Sequence, residues 1–203
     1  MEAMNNQNRP SLLFDIQYKI AAGAGEGYVH WMKIFNIKSA ARTLIFLKDN
    51  GIDSYDELCE KASAASAEFN PLSSRLKEIG DRQKEINDLQ KYISQYGKTH
   101  ATWLRYKKSG FDPAFFEAER ADLTLHKAAK KYFDEQGFKG KLPSINSLKA
   151  EWATLETERR QISPRYKAAK EKYLPLCTAK ANADIILFGE RTHPQRMHGR
   201  DAR

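Results

Sequence analysis

The chain has little of what disulfide-linked, membrane-spanning or β-rich proteins need. It has two cysteines, Cys59 and Cys177, which argues against a disulfide framework and predicts a reducing, cytoplasmic compartment. Its 11 glycines and 7 prolines are too few for the many tight turns of an all-β domain. No run approaches about eighteen consecutive apolar residues, so no membrane insertion is predicted. Residues 1–10 lack the apolar segment of a signal peptide.

Charge, by contrast, is abundant and unbalanced. Charged residues make up 30% of the chain, and the formal net charge is +8. Nearly all of the excess lies between Arg159 and Arg203, where eleven Lys or Arg residues face four Asp or Glu residues. A basic balance favours anionic partners, with nucleic acid first and a membrane surface second. The alternative is a solvated helix face followed by a basic tail.

Two long segments carry the heptad pattern of coiled coils, in which apolar residues alternate at spacings of three and four. The seam in residues 54–97 consists of Leu58, Ala62, Ala65, Phe69, Leu72, Leu76, Ile79, Ile86 and Ile93, with Gln83 in one slot. The seam in residues 144–188 consists of Ile145, Leu148, Trp152, Leu155, Ile162, Tyr166, Ala169, Tyr173 and Leu176, with Arg159 off pattern. Ser144 is predicted to cap the second helix, and Pro71 to kink or restart the first.

The predicted fold class is therefore all-α, with a long antiparallel coiled-coil hairpin as its main element. Residues 98–143 are expected to form a small helical head at its tip, and residues 11–53 a bundle of three short helices. Ser11 would cap the first of these three helices. Residues 1–10 are predicted to be a disordered lead and residues 189–203 a disordered basic tail. The alternative is that each seam pairs with another chain, which would make a homodimer.

No residue pattern points to catalysis, and we predict no enzyme activity, no cofactor and no metal. The histidines are scattered along the chain, without the spacing of metal ligands. No serine, cysteine or aspartate has an apparent base for nucleophilic catalysis. The glycines at 23, 25 and 27 resemble a phosphate loop. Because a helix precedes them and no Lys-Ser or Lys-Thr follows, a connector between helices is favoured.

Two basic clusters are candidate nucleic-acid contacts, because lysine and arginine contact phosphates while aromatic rings stack on bases. The first cluster accompanies Trp103 and Tyr106 and consists of Lys98, Arg105, Lys107 and Lys108. The second consists of Arg159, Arg160, Arg165, Lys167, Lys170 and Lys172. The alternative for Trp103 and Tyr106 is packing inside the head. Contacts to phosphate alone would give salt-sensitive binding without sequence preference.

Short motifs in a fixed order resemble a known family over residues 11–185. They are Leu13-Phe-Asp-Ile-Gln17, Gly25-Glu-Gly-Tyr28 with Trp31 and Lys33-Ile-Phe-Asn36, Thr43-Leu44 with Phe46-Leu47, Tyr96-Gly-Lys98-Thr99, Tyr106-Lys-Lys-Ser-Gly110, Phe115-Phe-Glu117, Leu125-His-Lys-Ala-Ala-Lys130 and Thr178-Ala-Lys-Ala-Asn182. Together they resemble the carboxy-terminal helical region of relaxases, the mobilisation nucleases of conjugative and integrative elements in Gram-positive bacteria.

The resemblance implies a role beside the nuclease and not the nuclease itself. Relaxases of this kind carry a catalytic tyrosine and a metal-binding histidine cluster in an amino-terminal domain; this sequence has no such histidine cluster, and no catalytic residue is carried over to it. We therefore expect a non-catalytic accessory module that binds DNA of the transfer-origin region, proteins of the conjugation machinery, or both. The alternative is a coiled-coil dimerisation or protein-interaction module with no nucleic-acid role.

Overall fold

The computed structural model describes residues 10–138 and 140–188, and within them all regular structure is helical. The helices are α1 (Ile16–Ala21), α2 (Glu26–Asp49), α3 (Tyr55–Lys108), α4 (Pro113–Ala118), α5 (Arg120–Glu135) and α6 (Ile145–Phe188). The predicted all-α class is confirmed. None of these helices is long and apolar enough to cross a membrane. The predicted tail, and the predicted lead apart from Pro10, lie outside the described residues.

The N-terminal region has two helices where we predicted three. The first begins at Ile16 and not at Ser11, because the side chain of Asp15 accepts a hydrogen bond from the amide of Tyr18 at 2.9 Å. The next two predicted helices are one continuous helix of 24 residues, α2. Asn36 does not interrupt it, since its amide bonds to a distant backbone and leaves the helical ladder intact. Gly23 and Gly25 lie in the connection between α1 and α2, as predicted, whereas Gly27 lies in the first turn of α2.

The first long helix is longer than predicted. We placed its end at Gly97, but α3 continues to Lys108. A single glycine costs a helix only about 1 kcal/mol relative to alanine, which the surrounding helix-forming residues outweigh. The helix ends where Gly110 takes a left-handed φ of 70°. Pro71 lies inside α3 without ending it, and the predicted head therefore begins within this helix.

The chain divides into two compact units. Unit 1 consists of Met1–Leu72 and Arg165–Arg203, and unit 2 consists of Ser73–Pro164. The core of unit 1 includes Phe46, Ile52, Leu58 and Ala179, which come from α2, the α2–α3 connection, α3 and α6. Further along the same seam the Phe69 ring stacks on Tyr173 with ring centroids 4.4 Å apart.

An extended segment of unit 1, before α1, is held by two asparagine side chains. Asn182 of α6 accepts from the amide of Leu13 at 3.0 Å and donates to the carbonyl of Ser11 at 2.9 Å. Asn36 of α2 accepts from the amide of Phe14 at 2.8 Å and donates to its carbonyl at 2.9 Å. These side chains supply the hydrogen bonds that a buried non-helical backbone needs.

Unit 2 contains the second part of α3 and the first part of α6, together with α4 and α5. Its core joins Ile86 and Leu89 of α3 to Leu148 of α6. Arg75 pairs with Glu158 and Arg82 with Glu151. Moving seven residues forward on α3 thus moves seven residues back on α6, so the two helices run antiparallel in this unit. As predicted, the Ser144 hydroxyl caps α6 by accepting from the amide of Ser147 at 3.0 Å.

Candidate nucleic-acid interface

In unit 2, α5 docks on the second half of α3 through a stack of rings around one histidine. His126 is only 1% exposed and lies between Tyr96 and Trp103, at centroid distances of 4.5 Å and 5.1 Å. Its Nδ1 is 3.1 Å from the hydroxyl of Thr99. Burial, followed by the charges of His100 and Lys130, lowers the pKa of His126. The neutral form of the ring is therefore favoured at neutral pH, and its contacts join α5 to α3.

The outer side of this junction is an open, basic depression, which we call the basic groove. It has a volume of about 630 Å³ and is lined by Trp103, Lys127, Lys130, Lys131, Asp134 and Glu135. The three lysines are exposed, and Trp103 is half-buried. A positively charged depression with a partly accessible indole ring offers both the phosphate contact and the stacking surface that nucleic acids use.

The lysines of the basic groove differ in whether an acidic side chain lies close enough to offset their charge. Lys131 lies 3.7 Å from Glu135, which at an exposed site is a weak pair. Lys127 lies over the ring of Phe116 at 4.7 Å, which brings no opposing formal charge to it. Lys130 has no ion pair among the described residues. The acidic residues lie at the carboxy-terminal end of α5, so the groove is most basic at its Lys127 end.

The first predicted cluster, from Lys98 to Lys108, is exposed in unit 2, but part of it already contacts other residues of the chain. Arg105 lies 3.4 Å from Glu119 and over the ring of Phe115. Lys107 and Lys108 lie in the last turn of α3, where positive charge also stabilises the helix through its dipole. Lys98 is exposed one turn before Thr102. Tyr106 packs inside the head, which was the alternative we left open, whereas Trp103 borders the basic groove.

The second predicted cluster does not form one stripe. Of its members in unit 2, Arg159 donates to Gln83 at 3.4 Å and Arg160 pairs with Glu156 at 3.0 Å. Of those in unit 1, Lys172 lies 3.7 Å from Glu68. At 100° per residue, Arg165 shares a side of α6 with Lys172, while Lys167 and Lys170 lie on the opposite side. The four members of this cluster in unit 1 therefore do not share one face of α6, and their contact with nucleic acid stays a prediction.

Sequence reasoning missed the three lysines of α5. Lys127, Lys130 and Lys131 are related by the spacings three and four, which place side chains on one face of a helix. The signal was present in the sequence, but the acidic residues that follow made the net charge of the segment unremarkable. Their position beside Trp103 depends on how α5 packs on α3, which periodicity does not reveal.

Unit 1 holds a second polar cluster, around a tyrosine. The hydroxyl of Tyr55 donates to Asp184 at 2.6 Å, and Lys180 lies 2.9 Å from the same carboxylate. The hydrogen bond to Asp184, assisted by Cys59, raises the pKa of Tyr55 to about 12. A phenol held in its protonated form links α3 to α6 as a donor, and it is a poor source of a phenolate nucleophile at neutral pH.

No group of three or more His, Cys, Asp or Glu side chains in the described ranges is placed to hold a metal ion. Both cysteines are free and half-buried, and burial raises the pKa of Cys177. Comparison of the chain with protein-family models, curated proteins and solved structures found no match.

Proposed function

We propose that this chain is a non-catalytic helical module of the relaxase type, which binds DNA through the basic groove of unit 2. The observation that carries the proposal is the position of Lys127, Lys130 and Lys131 around the half-buried ring of Trp103. The motifs that resemble conjugative relaxases supply the context, which is DNA of the transfer-origin region and the proteins that act there.

The chemistry of the groove favours single-stranded DNA without sequence preference. Lysines attract phosphates as point charges, whereas base-specific readout in duplex DNA rests mainly on bidentate side chains in the major groove. An indole ring can stack on an unpaired base, and such contacts contribute roughly 1–3 kcal/mol for each base. The expected binding is therefore tighter to single strands and strongly dependent on salt.

Fluorescence anisotropy with labelled single- and double-stranded oligonucleotides across a salt series tests this proposal. Removing three phosphate contacts should reduce the slope of log Kobs against log salt by about 2 for single strands. The test variant is Lys127→Gln/Lys130→Gln/Lys131→Gln. The matched control is Lys77→Gln/Lys84→Gln/Lys149→Gln, which removes the same charge from exposed positions elsewhere in unit 2.

The two variants separate groove binding from general attraction. The proposal expects the groove variant to bind DNA more weakly and with a smaller slope of log Kobs against log salt, while the control keeps most of its affinity and slope. It expects Trp103→Leu to weaken binding to single strands more than binding to double strands. Equal losses in both triple variants, or no binding of the unmodified chain at low salt, would remove the DNA function.

The alternative is self-association through the heptad seams. It competes with the packing of α6 on α3 within each unit of one chain. Seam residues such as Leu58 in unit 1 and Ile86 in unit 2 are already buried. A dimer formed through them would first have to displace α6 from α3. Light scattering over a range of concentrations tests this alternative, which predicts a mass that rises toward twice that of one chain.

A further inference from the structure

Helix α2 of unit 1 is apolar on two opposite faces, and only one of them is covered. Its inner face points into unit 1 and carries Met32 and Phe46, which are 0% and 7% exposed. At 100° per residue, Ile37 and Leu44 lie on the opposite side, and they are 71% and 65% exposed. An apolar face of a helix is normally buried against another element, so the outer face of α2 has the composition of an interface.

The exposed apolar residues form a continuous stripe, which we call the outer face of α2. It consists of Ile34, Ile37, Ala41, Leu44 and Ile45. Single exposed leucines are ordinary, but contiguous apolar patches rimmed by polar residues mark interaction sites. Ala41, between Ile37 and Leu44, is small and lets another helix approach closely. Helices that bind in this way use anchors at the spacings three, four and seven.

A cavity adjoins one edge of the outer face. It has a volume of about 210 Å³ and a mainly apolar lining that includes Leu44, Leu47, Leu58, Ile186 and Leu187, with Asp53 among its polar residues. An apolar cavity of about 150 Å³ is large enough to bind benzene, so this one can accept an apolar side chain. Because Leu44 belongs to both the stripe and the cavity wall, a helix lying along α2 could insert one anchor there. A concave recess of this kind fits a protein side chain better than it fits a lipid surface.

The charged residues of α2 that flank the outer face all have one sign. Lys33 and Lys48 lie one turn before Ile37 and one turn after Leu44, and Lys38 and Arg42 follow the side of the stripe. None of the four has an ion pair among the described residues. The only acidic residues of α2 are at its two ends, Glu26 and Asp49. The complementary partner is therefore acidic.

The same charges argue against a second copy of this chain as the occupant. Two copies packed antiparallel, with Ile37 of one against Leu44 of the other, would place Lys33 beside Lys48 at both ends. A parallel arrangement would place each lysine beside its own counterpart. Like charges in contact across an interface disfavour the complex.

We propose that the outer face of α2 is a docking surface for an amphipathic, acidic helix of a partner protein. The partner helix would present apolar anchors at the spacings three, four and seven, with Asp or Glu beside them, and one anchor would enter the cavity next to Leu44. This surface belongs to unit 1, and the docking proposal does not depend on DNA binding by unit 2.

The probe is a phage-displayed library of helical peptides with randomised positions, selected on the whole chain. Selection runs in parallel on Ile37→Glu/Leu44→Glu and on the control Leu104→Glu, which adds a carboxylate at an exposed leucine of α3. Circular dichroism melts check that each variant is folded. Because Ile37 and Leu44 are 71% and 65% exposed, we expect the double variant to stay folded.

The proposal expects peptides with apolar spacings of three and four and an excess of Asp and Glu. Their affinity should fall by roughly tenfold or more in Ile37→Glu/Leu44→Glu and stay the same in Leu104→Glu. Lys33→Glu/Lys48→Glu should shift the selected peptides from acidic to basic. No enrichment, or peptides that bind the double variant equally well, would overturn the proposal.

Two further measurements address the competing occupants. Sedimentation with phosphatidylglycerol vesicles that depends on Ile37 and Leu44 would instead assign the face to a membrane surface. A dimer in light scattering that Ile37→Glu/Leu44→Glu abolishes would assign it to a second copy. The proposal expects neither effect.

Discussion

Gln83 of α3 and Arg159 of α6, the two polar residues in otherwise apolar seams, contact each other: Arg159 Nη1 donates to Gln83 Oε1 at 3.4 Å. Gln83 is 6% exposed and also donates to Glu156 at 3.3 Å. A polar pair at one level of a coiled coil fixes the register, at a cost in stability. The two interruptions of the heptads are therefore one feature of unit 2.

The first prediction concerns the stability cost of this pair. In Gln83→Leu an apolar side chain replaces a buried amide, while Arg159 and Glu156 are accessible enough to be hydrated instead. We expect the unfolding free energy to rise by about 1 kcal/mol, or Tm by about 2–4 °C. Thermal unfolding followed by circular dichroism measures the change. The control Lys84→Leu adds the same side chain outside the seam and should not stabilise; a Gln83→Leu variant less stable than the unmodified chain would contradict the prediction.

The second prediction concerns an ion pair across the same two helices. Arg82 binds Glu151 with two hydrogen bonds of 2.7 Å and 3.1 Å, and the bond from Arg82 lowers the pKa of Glu151. A double-mutant cycle with Arg82→Met and Glu151→Gln should give a coupling of about 0.5–1 kcal/mol at low salt. Because the pKa of Glu151 is depressed on folding, this stabilisation is present above the ordinary glutamate pKa and is lost as pH falls.

Urea unfolding at neutral pH, and again in high salt, measures the coupling. Screening by salt should reduce this coupling, since both side chains are partly exposed. A coupling that salt leaves unchanged would show that packing, and not charge, joins the two residues.

The seams could be predicted from sequence because each one is a local property of a helix. The alternation of three and four needs no knowledge of the partner, and residues such as Ile79, Ile86 and Leu148 are buried as the pattern requires. The end of α3 could not be predicted as well. Gly97 weakens a helix by an amount that tertiary contacts easily outweigh, and Thr99 and Thr102, just beyond it, are buried against α5 in unit 2.

The candidate site was predicted only in part, because it depends on contacts between distant residues. The basic residues near Trp103 on α3 follow from composition, whereas the lysines of α5 join them only through the packing of His126. The asparagine contacts of unit 1 were equally hidden, since Asn182 bonds to a backbone 169 residues away. No periodic pattern reports a hydrogen bond of that kind.

The third prediction follows from Asn182, which is fully buried. Its side chain bonds to Ser11, Leu13 and the hydroxyl of Thr43. Asn182→Leu removes all three hydrogen bonds at similar volume and leaves buried polar groups behind, so we expect a loss of about 2–4 kcal/mol in unfolding free energy. Urea unfolding measures the loss, and hydrogen exchange should show faster exchange at Leu13.

The control for this prediction is Asn70→Leu, at an exposed position of the same unit where one local bond to Ser66 is lost. It should change the unfolding free energy little. Equal stability of Asn182→Leu and Asn70→Leu would mean that the extended segment is held by apolar contacts and not by the asparagine.

The fourth prediction is a pH dependence that originates at His126. Its folded-state pKa is lowered by burial and by His100 and Lys130, so the unfolded chain binds a proton more readily. The unfolding free energy should therefore fall as pH drops from about 7.5 to about 5, through the ordinary histidine range. Urea unfolding at several pH values measures this slope. His126→Phe keeps an aromatic ring between Tyr96 and Trp103 but cannot take up a proton, so its slope should be smaller.

The control for His126 is His30→Phe, at an exposed position of α2 in unit 1, which should keep the slope of the unmodified chain. The same experiment links stability to the basic groove, because His126 sets the position of α5 and hence of Lys127 and Lys130. If protonation loosens α5, DNA affinity at pH 5 should fall below the value that added positive charge alone would produce. An unchanged pH slope in His126→Phe would mean that a different group titrates, and that the ring stack tolerates a charged imidazole.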